Sequence, residues 1–110
     1  MAYNDIREEL LRRARALPAC PGVYIMKDRQ GRVIYVGKSR KLKNRVSQYF
    51  GSGSRGTKTD RMVALVRDFD TVLCDTEIEA LTLENAFIKQ YAPKYNIKLK
   101  DAKSYPYIKI

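Results

Sequence analysis

The chain has 110 residues, with 22 Lys and Arg against 12 Asp and Glu, a formal net charge of +10 and a hydrophobic fraction of 45%. This length predicts one domain with one core. The absence of His excludes serine–histidine hydrolysis, two Cys are too few for a four-thiolate zinc site, and no apolar run approaches the roughly 20 residues of a membrane span. We expect a soluble, cytoplasmic protein with no membrane partner and two separate thiols.

The first part of the chain predicts a helix followed by a β-hairpin. Apolar residues recur at helical spacing over residues 5–17, with Asn4 or Asp5 as the N-cap. Two β-rich runs, residues 22–26 and 32–36, flank a polar turn that contains Gly. That pattern is typical of an antiparallel hairpin.

The middle of the chain predicts two helices separated by a loop. Gly37 is expected to end the second strand, and Ser39 to cap a helix that runs to about Phe50. Residues 51–56 consist almost entirely of Gly and Ser, which predicts a flexible loop. The apolar spacing then predicts a helix over residues 59–69.

The last part predicts a short strand, a long helix and a final strand. Residues 72–74 form the short β-rich run. Thr76 and Glu79 have the spacing of a capping box, for a helix that continues to Tyr91 and is closed by Ala-Pro. Residues 105–110 are strand-like. Together these elements predict a small α+β domain with helices packed on a short antiparallel sheet.

The charged residues are sorted along the chain. Residues 27–67 hold twelve basic and two acidic side chains, whereas residues 68–88 hold six acidic side chains and no basic one. A basic region of this kind is the usual feature of a protein that binds nucleic acid.

Glu84 is the acidic residue whose position is hardest to explain by solvation. Its nearest neighbours on the predicted helix are all apolar or aromatic: Ala80, Leu81, Phe87, Ile88 and Tyr91. A carboxylate within such a stripe is costly unless it is paired or binds a metal. We interpret Glu84 as functional. The alternatives are a structural ion pair with an Arg and a side chain that reaches solvent at the edge of the stripe.

Basic and tyrosine side chains form a second group of candidates. Arg45 and Tyr49 are four residues apart and share a face of their predicted helix. Lys38 precedes that helix, whose first backbone N–H groups would favour an anion. Tyr24 and Tyr35 lie one on each strand of the hairpin, where pairing could place them on one face.

Two tripeptides separated by ten residues, Gly22-Val-Tyr24 and Tyr35-Val-Gly37, resemble the signature of the GIY-YIG endonuclease family, with Val in place of Ile. The resemblance covers about residues 18–110, and its detail is similar to family members that act in bacterial nucleotide excision repair. The stretches that carry it are Pro21–Tyr24, Arg32–Lys38, Asn44–Phe50, Glu79–Glu84, Pro93–Asn96 and Lys103–Ile108. It implies a small, mostly antiparallel three-stranded sheet flanked by helices. It also implies that residues 1–110 are a single nuclease domain taken from the N-terminal part of a longer protein.

The resemblance also implies an activity. Water would hydrolyse one DNA strand on the 3′ side of a lesion, with one divalent metal, Mg²⁺ or alternatively Mn²⁺, bound by Glu84. The implied partners are damaged double-stranded DNA and UvrB, and the isolated domain would be a monomer. Tyr49 would bond a phosphate or water, and Asn96 would orient water or backbone. The implied active-site residues are Tyr24, Tyr35, Lys38, Arg45, Tyr49, Glu84 and Asn96.

The chemistry of phosphodiester hydrolysis is consistent with this set. Arg45 can bond the non-bridging oxygens of the transition state in fork geometry. A phenol with a pKa of about 10 is a poor base at neutral pH unless a cation lowers that pKa. Lys38 and the metal could do so, and either Tyr24 or Tyr35 could be the base.

Two other functions stay open. One is a non-catalytic DNA-binding module. The other is a different nuclease of the same family, either a stand-alone repair nuclease or a structure-specific one. Glu84 discriminates against the first, because a module that only binds DNA has no need of a carboxylate in an apolar stripe.

Overall fold

The computed structural model describes residues 3–51 and 56–96 of the chain. Within them, seven elements follow one another: α1 (Tyr3–Arg15), β1 (Gly22–Lys27), β2 (Val33–Ser39), α2 (Leu42–Phe50), α3 (Thr57–Leu65), β3 (Asp68–Leu73) and α4 (Glu77–Tyr91). The rest of the predicted loop over 51–56 and the predicted strand over 105–110 lie outside the described residues. No helix in the described part is long and apolar enough to cross a membrane.

The three strands form one antiparallel sheet in the order β2-β1-β3. Tyr24 in the central strand pairs with Gly37 on one side and with Thr71 on the other. The predicted hairpin and the predicted three-stranded sheet flanked by helices are therefore confirmed.

A β-bulge interrupts the pairing of β1 with β2. Met26 pairs with Tyr35 but Lys27 pairs with Val33, so that Ile34 is an extra residue on β2. Such an insertion changes the alternation of side chains locally. As a result, Ile34 and its neighbour Tyr35 both contact the same hydrophobic cluster.

Two hydrophobic clusters cover the two faces of the sheet. The larger cluster lies between the sheet and α1, α2 and α3, and it includes Tyr24 and Met26 of β1. The smaller cluster lies against α4 and includes Val23 and Ile25, the alternate residues of the same strand. Val36 joins the smaller cluster from β2. The central strand is therefore buried on both faces.

Two arginines attach α1 to the rest of the domain. Arg7 donates hydrogen bonds to the carbonyl oxygens of Phe50 and Gly51 at the end of α2. Arg13 donates to the Asp68 carboxylate at 2.7 Å, and its guanidinium lies 4.7 Å from the centre of the Phe69 ring. These contacts hold α1 against both α2 and β3.

Two predicted boundaries near α1 and β2 are wrong. Helix α1 begins at Tyr3, so Asn4 and Asp5 lie within its first turn and neither is the N-cap. Gly37 does not end β2, which continues to Ser39 because Gly37 pairs with Tyr24 of β1.

The boundary between α3 and β3 also differs from the prediction of a helix over 59–69. Helix α3 ends at Leu65, and Phe69 belongs to β3, where it pairs with Met26 of β1. The strand therefore starts earlier than the predicted run over 72–74. Pairing with β1 buries Phe69 in the larger cluster and overrides the helical spacing of its sequence.

Helix α4 agrees with its prediction at both ends. The Thr76 hydroxyl accepts a hydrogen bond from the Glu79 backbone N–H, and the Glu79 carboxylate accepts one from the Asp75 N–H at 2.7 Å. The Glu79 carboxylate thus bonds the residue before the N-cap, one position earlier than in the usual capping box. Ala92 ends the helix in the left-handed conformation, with φ of 43°. Cys20 and Cys74 are free thiols, as expected.

Candidate active site

Three tyrosines from three different elements meet on the α2 side of the sheet. Tyr24 on β1 and Tyr49 on α2 are both buried, and their hydroxyl oxygens are 2.8 Å apart, which is a hydrogen bond. The Tyr35 ring on β2 is half-buried and lies 6.1 Å from the Tyr24 ring. The expectation that Tyr24 and Tyr35 share a face is confirmed.

The close packing of Tyr24 explains the two glycines of the signature. A Cβ atom at Gly37 would collide with the hydroxyl and ring of Tyr24, which lies across that backbone. A Cβ atom at Gly22 would collide with the Leu42 side chain and the Val72 carbonyl oxygen. Glycine is required at both positions because another chain atom occupies the space of a side chain.

Burial changes the acidity of the two candidate bases. The pKa of Tyr24 is raised well above its ordinary value, first by burial and then by Tyr49 and Tyr35, while Arg45 lowers it slightly. The pKa of Tyr35 is also raised, first by burial and then by Tyr49 and Glu84. The idea that Lys38 lowers a tyrosine pKa has no support in the metal-free domain. Both shifts favour the neutral phenol.

Glu84 lies on α4 at the edge of the smaller cluster. Its helical neighbours Ala80, Phe87 and Ile88 pack on the sheet, but Leu81 and Tyr91 are 44% and 43% exposed, so the expectation of a continuous buried stripe is wrong. Glu84 itself is half-buried. None of the salt bridges found within residues 3–51 and 56–96 involves it, which gives no support to the structural ion pair. Its charge is one of the causes that raise the pKa of Tyr35, so Glu84 lies within electrostatic range of that tyrosine.

An open groove of about 400 Å³ runs along α2. The basic residues that line it are Lys38, Arg40, Lys41 and Arg45. All four are exposed, and Arg45 is near enough to Tyr24 to affect its pKa. This position of Arg45 agrees with the prediction that Arg45 and Tyr49 share a face of the helix. Arg45 thus connects the groove to the tyrosines.

The first two backbone N–H groups of α2 are not available to an anion. The first two N–H groups of the helix, at Leu42 and Lys43, donate to the carbonyl oxygens of Cys20 and Pro18. Ser39 is not the N-cap as predicted, because that residue is Lys41. The Ser39 hydroxyl instead accepts a hydrogen bond from the Lys41 N–H at 3.0 Å. Binding in the groove therefore depends on side chains.

Asn96 is bound to the backbone of β2. Its side-chain oxygen accepts a hydrogen bond from the Val36 N–H, and its amide nitrogen donates to the Val36 carbonyl oxygen, each at 2.8 Å. Asn96 is 2% exposed. It fixes the strand between Tyr35 and Gly37, and it does not line the groove beside Arg45.

The donor set of the site fits a metal held by few protein ligands. The described part of the chain contains no cluster of three or more His, Cys, Asp or Glu side chains that could hold a metal ion. Glu84 offers one half-buried carboxylate. Mg²⁺ usually keeps several waters and takes one or two carboxylates, so a single Glu beside neutral phenols suits it.

The structure adds Asn44 and Gln48 to the groove, although the sequence did not single them out. Uncharged polar residues on a helix give no signal in charge or periodicity. Their spacing from Lys41 was the one available indication of a role. It places Lys41, Asn44 and Gln48 on one face of the predicted helix.

The fold and the site together define a domain of the GIY-YIG type: a Gly-x-Tyr and Tyr-x-Gly hairpin, a tyrosine on the next helix and a Glu on a later one. A family model described as the UvrC-like GIY-YIG domain matches residues 20–97. The chain belongs to this family, as the resemblance of its sequence predicted.

The curated relatives are much longer than this chain. UvrABC system protein C of Acetivibrio thermocellus is 56% identical over 107 residues, which are 96% of this chain and 16% of that protein. The protein of the same name from Caldicellulosiruptor saccharolyticus is 55% identical over 94 residues, 86% of this chain and again 16% of that protein. The chain therefore spans about a sixth of the length of these relatives.

A solved structure confirms the fold. The GIY-YIG N-terminal endonuclease domain of UvrC from Thermotoga maritima, bound to its catalytic divalent cation magnesium, superposes with a TM-score of 0.70 at 35% identity. The match covers 80% of this chain and 96% of that one. Three tyrosine-to-phenylalanine variants of the Thermotoga domain are also bound to the catalytic divalent cation.

Proposed function

We propose that this domain is the divalent-metal-dependent endonuclease module of a longer UvrC-type protein. It cuts one strand of damaged duplex DNA on the 3′ side of the lesion, with UvrB as protein partner. The observation that carries the proposal is the convergence of the three tyrosines with the charge of Glu84 and the basic groove. Family membership and the names of the relatives support the repair role.

Glu84 is the residue that would hold the metal, with Mg²⁺ as the first candidate and Mn²⁺ as the second. The metal would stabilise the charge that develops on the leaving oxygen. The retained cation in the tyrosine variants of the Thermotoga domain supports a carboxylate, and not a phenol, as the metal ligand.

Arg45 and Lys38 bind the phosphodiester to be cut. Arg45 stands where the groove meets the tyrosines, and its guanidinium can bond two non-bridging oxygens at once. These bonds strengthen as charge gathers on the oxygens in the transition state, so they accelerate the reaction more than they tighten DNA binding. Lys38 adds a second positive charge to the lining of the groove.

The tyrosine hydroxyls orient the attacking water. Tyr24 and Tyr49 are joined by a hydrogen bond within the core, and such a pair holds each hydroxyl in a fixed direction. Tyr35, less buried, is better placed to reach water. The raised pKa values of Tyr24 and Tyr35 favour neutral phenols, which hold the attacking water through hydrogen bonds. A metal held by Glu84 would lower the pKa of that water, and the proton would pass to solvent.

An incision assay of the full-length protein with UvrB tests the proposal, on a lesion-bearing duplex with and without Mg²⁺. We expect a 3′ nick that requires the metal and is lost in Glu84→Gln. Glu77→Gln is the matched control, because Glu77 is an exposed carboxylate of α4 that pairs with Arg40, and this variant should cut normally.

Three results would contradict the proposal. Normal 3′ incision by folded Glu84→Gln would remove Glu84 from the site. Equal losses in Glu84→Gln and Glu77→Gln would indicate a general effect of charge on α4. Tight DNA binding by the wild-type protein without any incision would favour the non-catalytic DNA-binding module.

A further inference from the structure

The groove along α2 extends beyond the proposed catalytic residues. On its helical wall, Lys41, Asn44 and Gln48 lie beside Arg45. Their spacing of three and four residues places them in one row on the helix. The residues that bury α2 in the core occupy the other side of the helix: Leu42, Val46, Tyr49 and Phe50.

The chemistry of the row suits an anion and not a base or an apolar ligand. Among the described residues, no carboxylate and no aromatic side chain lines the groove, so they offer no platform for base stacking. The cation of Arg40 is partly neutralised, because its Nε bonds Glu77 at 2.7 Å. Within the described residues, no salt bridge engages Lys41.

The length of the row matches a stretch of nucleic-acid backbone. From Lys41 to Gln48 the helix rises about 10 Å. The phosphates of one strand follow at about 3.4 Å along the axis of duplex DNA and lie farther apart along the strand itself, so the row spans at most about three of them. Because the helix N–H groups at Leu42 and Lys43 are already bonded, these side chains must supply the donors.

We propose that Lys41, Asn44 and Gln48 bind successive phosphates of the cut strand next to the scissile bond. This row, the α2 phosphate track, rests on the proposed nuclease function and adds the path of the substrate strand to it. Lys41 contributes charge, whereas Asn44 and Gln48 contribute hydrogen bonds that fix the register of the backbone. Arg45 lines the same groove and is close enough to Tyr24 to affect its pKa, so the track leads the strand toward the tyrosines through Arg45.

Two lysines on the same helix provide a matched test. Lys41→Ala and Lys43→Ala remove the same charge from exposed positions two residues apart, but only Lys41 lines the groove. Binding of the 110-residue chain to a duplex is measured between 50 and 200 mM salt. For Lys41→Ala we expect the slope of log K against log salt to fall by about 0.9, and the affinity change over that range to shrink by about 3.5-fold. Lys43→Ala should keep the wild-type slope.

The uncharged members of the track are tested separately. The double variant Asn44→Ala, Gln48→Ala should weaken binding at every salt concentration with little change in slope, because no charge is removed. In the incision assay, Lys41→Ala should raise KM relative to Lys43→Ala. Thermal melts of all variants show whether a loss of binding comes from unfolding.

The outcomes separate the track from the nuclease. If the wild-type protein cuts while Lys41→Ala and Lys43→Ala have the same slope of log K against log salt, the α2 phosphate track is refuted and the proposed nuclease function is not. If the slopes differ as expected but the wild-type protein never cuts, the track stands and the nuclease proposal fails. Wild-type binding by the double variant at all salt concentrations would also refute the roles given to Asn44 and Gln48.

Discussion

The two faces of the sheet differ in how they hold their part of the site. On the α2 side, the cluster contains the buried hydroxyls of Tyr24 and Tyr49, which bond each other across two elements. On the α4 side, the buried residues are aliphatic apart from one thiol, and Glu84 stands at the edge of that contact. Hydrogen bonds fix direction, whereas apolar packing fixes position only.

This difference means that the two halves of the site can be disturbed independently. A change among the tyrosines affects both the core and the chemistry, because the same side chains serve both. We expect a change at Glu84 to affect the proposed chemistry alone, since no salt bridge in the described parts of the chain depends on it. The predictions below test this contrast in order of decreasing expected effect.

Arg45→Ala is expected to cause the largest effect, a loss of about 3–4 kcal/mol in transition-state stabilisation. Arg45 is exposed, so the fold should keep its stability. Single-turnover incision rates and duplex affinity are measured together, with exposed Arg61→Ala on α3 as control. Equal losses in incision rate and duplex affinity would show that Arg45 only binds DNA and does not stabilise the transition state.

Gly37→Ala should lower the free energy of unfolding by about 1–3 kcal/mol, because the added methyl group collides with the Tyr24 ring. The ring cannot easily move while its hydroxyl bonds Tyr49. Denaturant unfolding measures the loss. Gly51→Ala is the control, since its Cβ would only touch the Ser47 carbonyl oxygen at 3.4 Å. Equal stability of both variants would show that the core absorbs the clash.

The Tyr24–Tyr49 hydrogen bond should appear as a coupling energy of about 1 kcal/mol in a double-mutant cycle. Each single Phe variant removes one hydrogen-bond partner from the other hydroxyl in the core, so the double variant should lose less than the sum. Unfolding free energies of the four proteins give the coupling. Additive losses would mean that the hydroxyls act separately.

The raised pKa values of Tyr24 and Tyr35 predict a small loss of stability at alkaline pH. The folded domain keeps these two protons at pH values where the unfolded chain releases them. The contribution is therefore complete below pH of about 10 and is lost as pH rises toward the folded-state pKa values. Unfolding of the metal-free chain at pH 9 and 11 measures the loss. The loss of unfolding free energy between pH 9 and 11 should be smaller in Tyr24→Phe than in the control Tyr91→Phe. The same loss in both variants would contradict the raised pKa of Tyr24.

Local signals in the sequence were sufficient for the hairpin, the start of α4 and the shared face of Tyr24 and Tyr35. Each of these depends on residues close in sequence, such as Thr76 and Glu79 at the N-terminus of α4. The resemblance then joined distant residues into one site before any geometry was known. Its role assignments for the seven site residues stay predictions.

Contacts between distant segments decided the features that the sequence did not predict. Phe69 has helical spacing, but its pairing with Met26 makes it a strand residue. The carbonyl oxygens of Pro18 and Cys20 take the N–H groups at the start of α2, which no periodicity could indicate. The pKa direction at Tyr24 also depends on burial between layers.

The amide of Asn96 has a consequence for self-association. Within the described residues β2 pairs only with β1 and is an edge strand of the sheet, and unpaired edges are where proteins add foreign strands and aggregate. The Asn96 side chain takes both the donor and the acceptor of Val36, in the middle of that edge. One amide thus imitates a neighbouring strand for a single residue and denies the position to any other chain. At the opposite edge of the sheet, β3 carries the exposed side chains of Asp68 and Asp70, which form salt bridges with Arg13 and Lys27, and charged side chains of this kind discourage the addition of a strand.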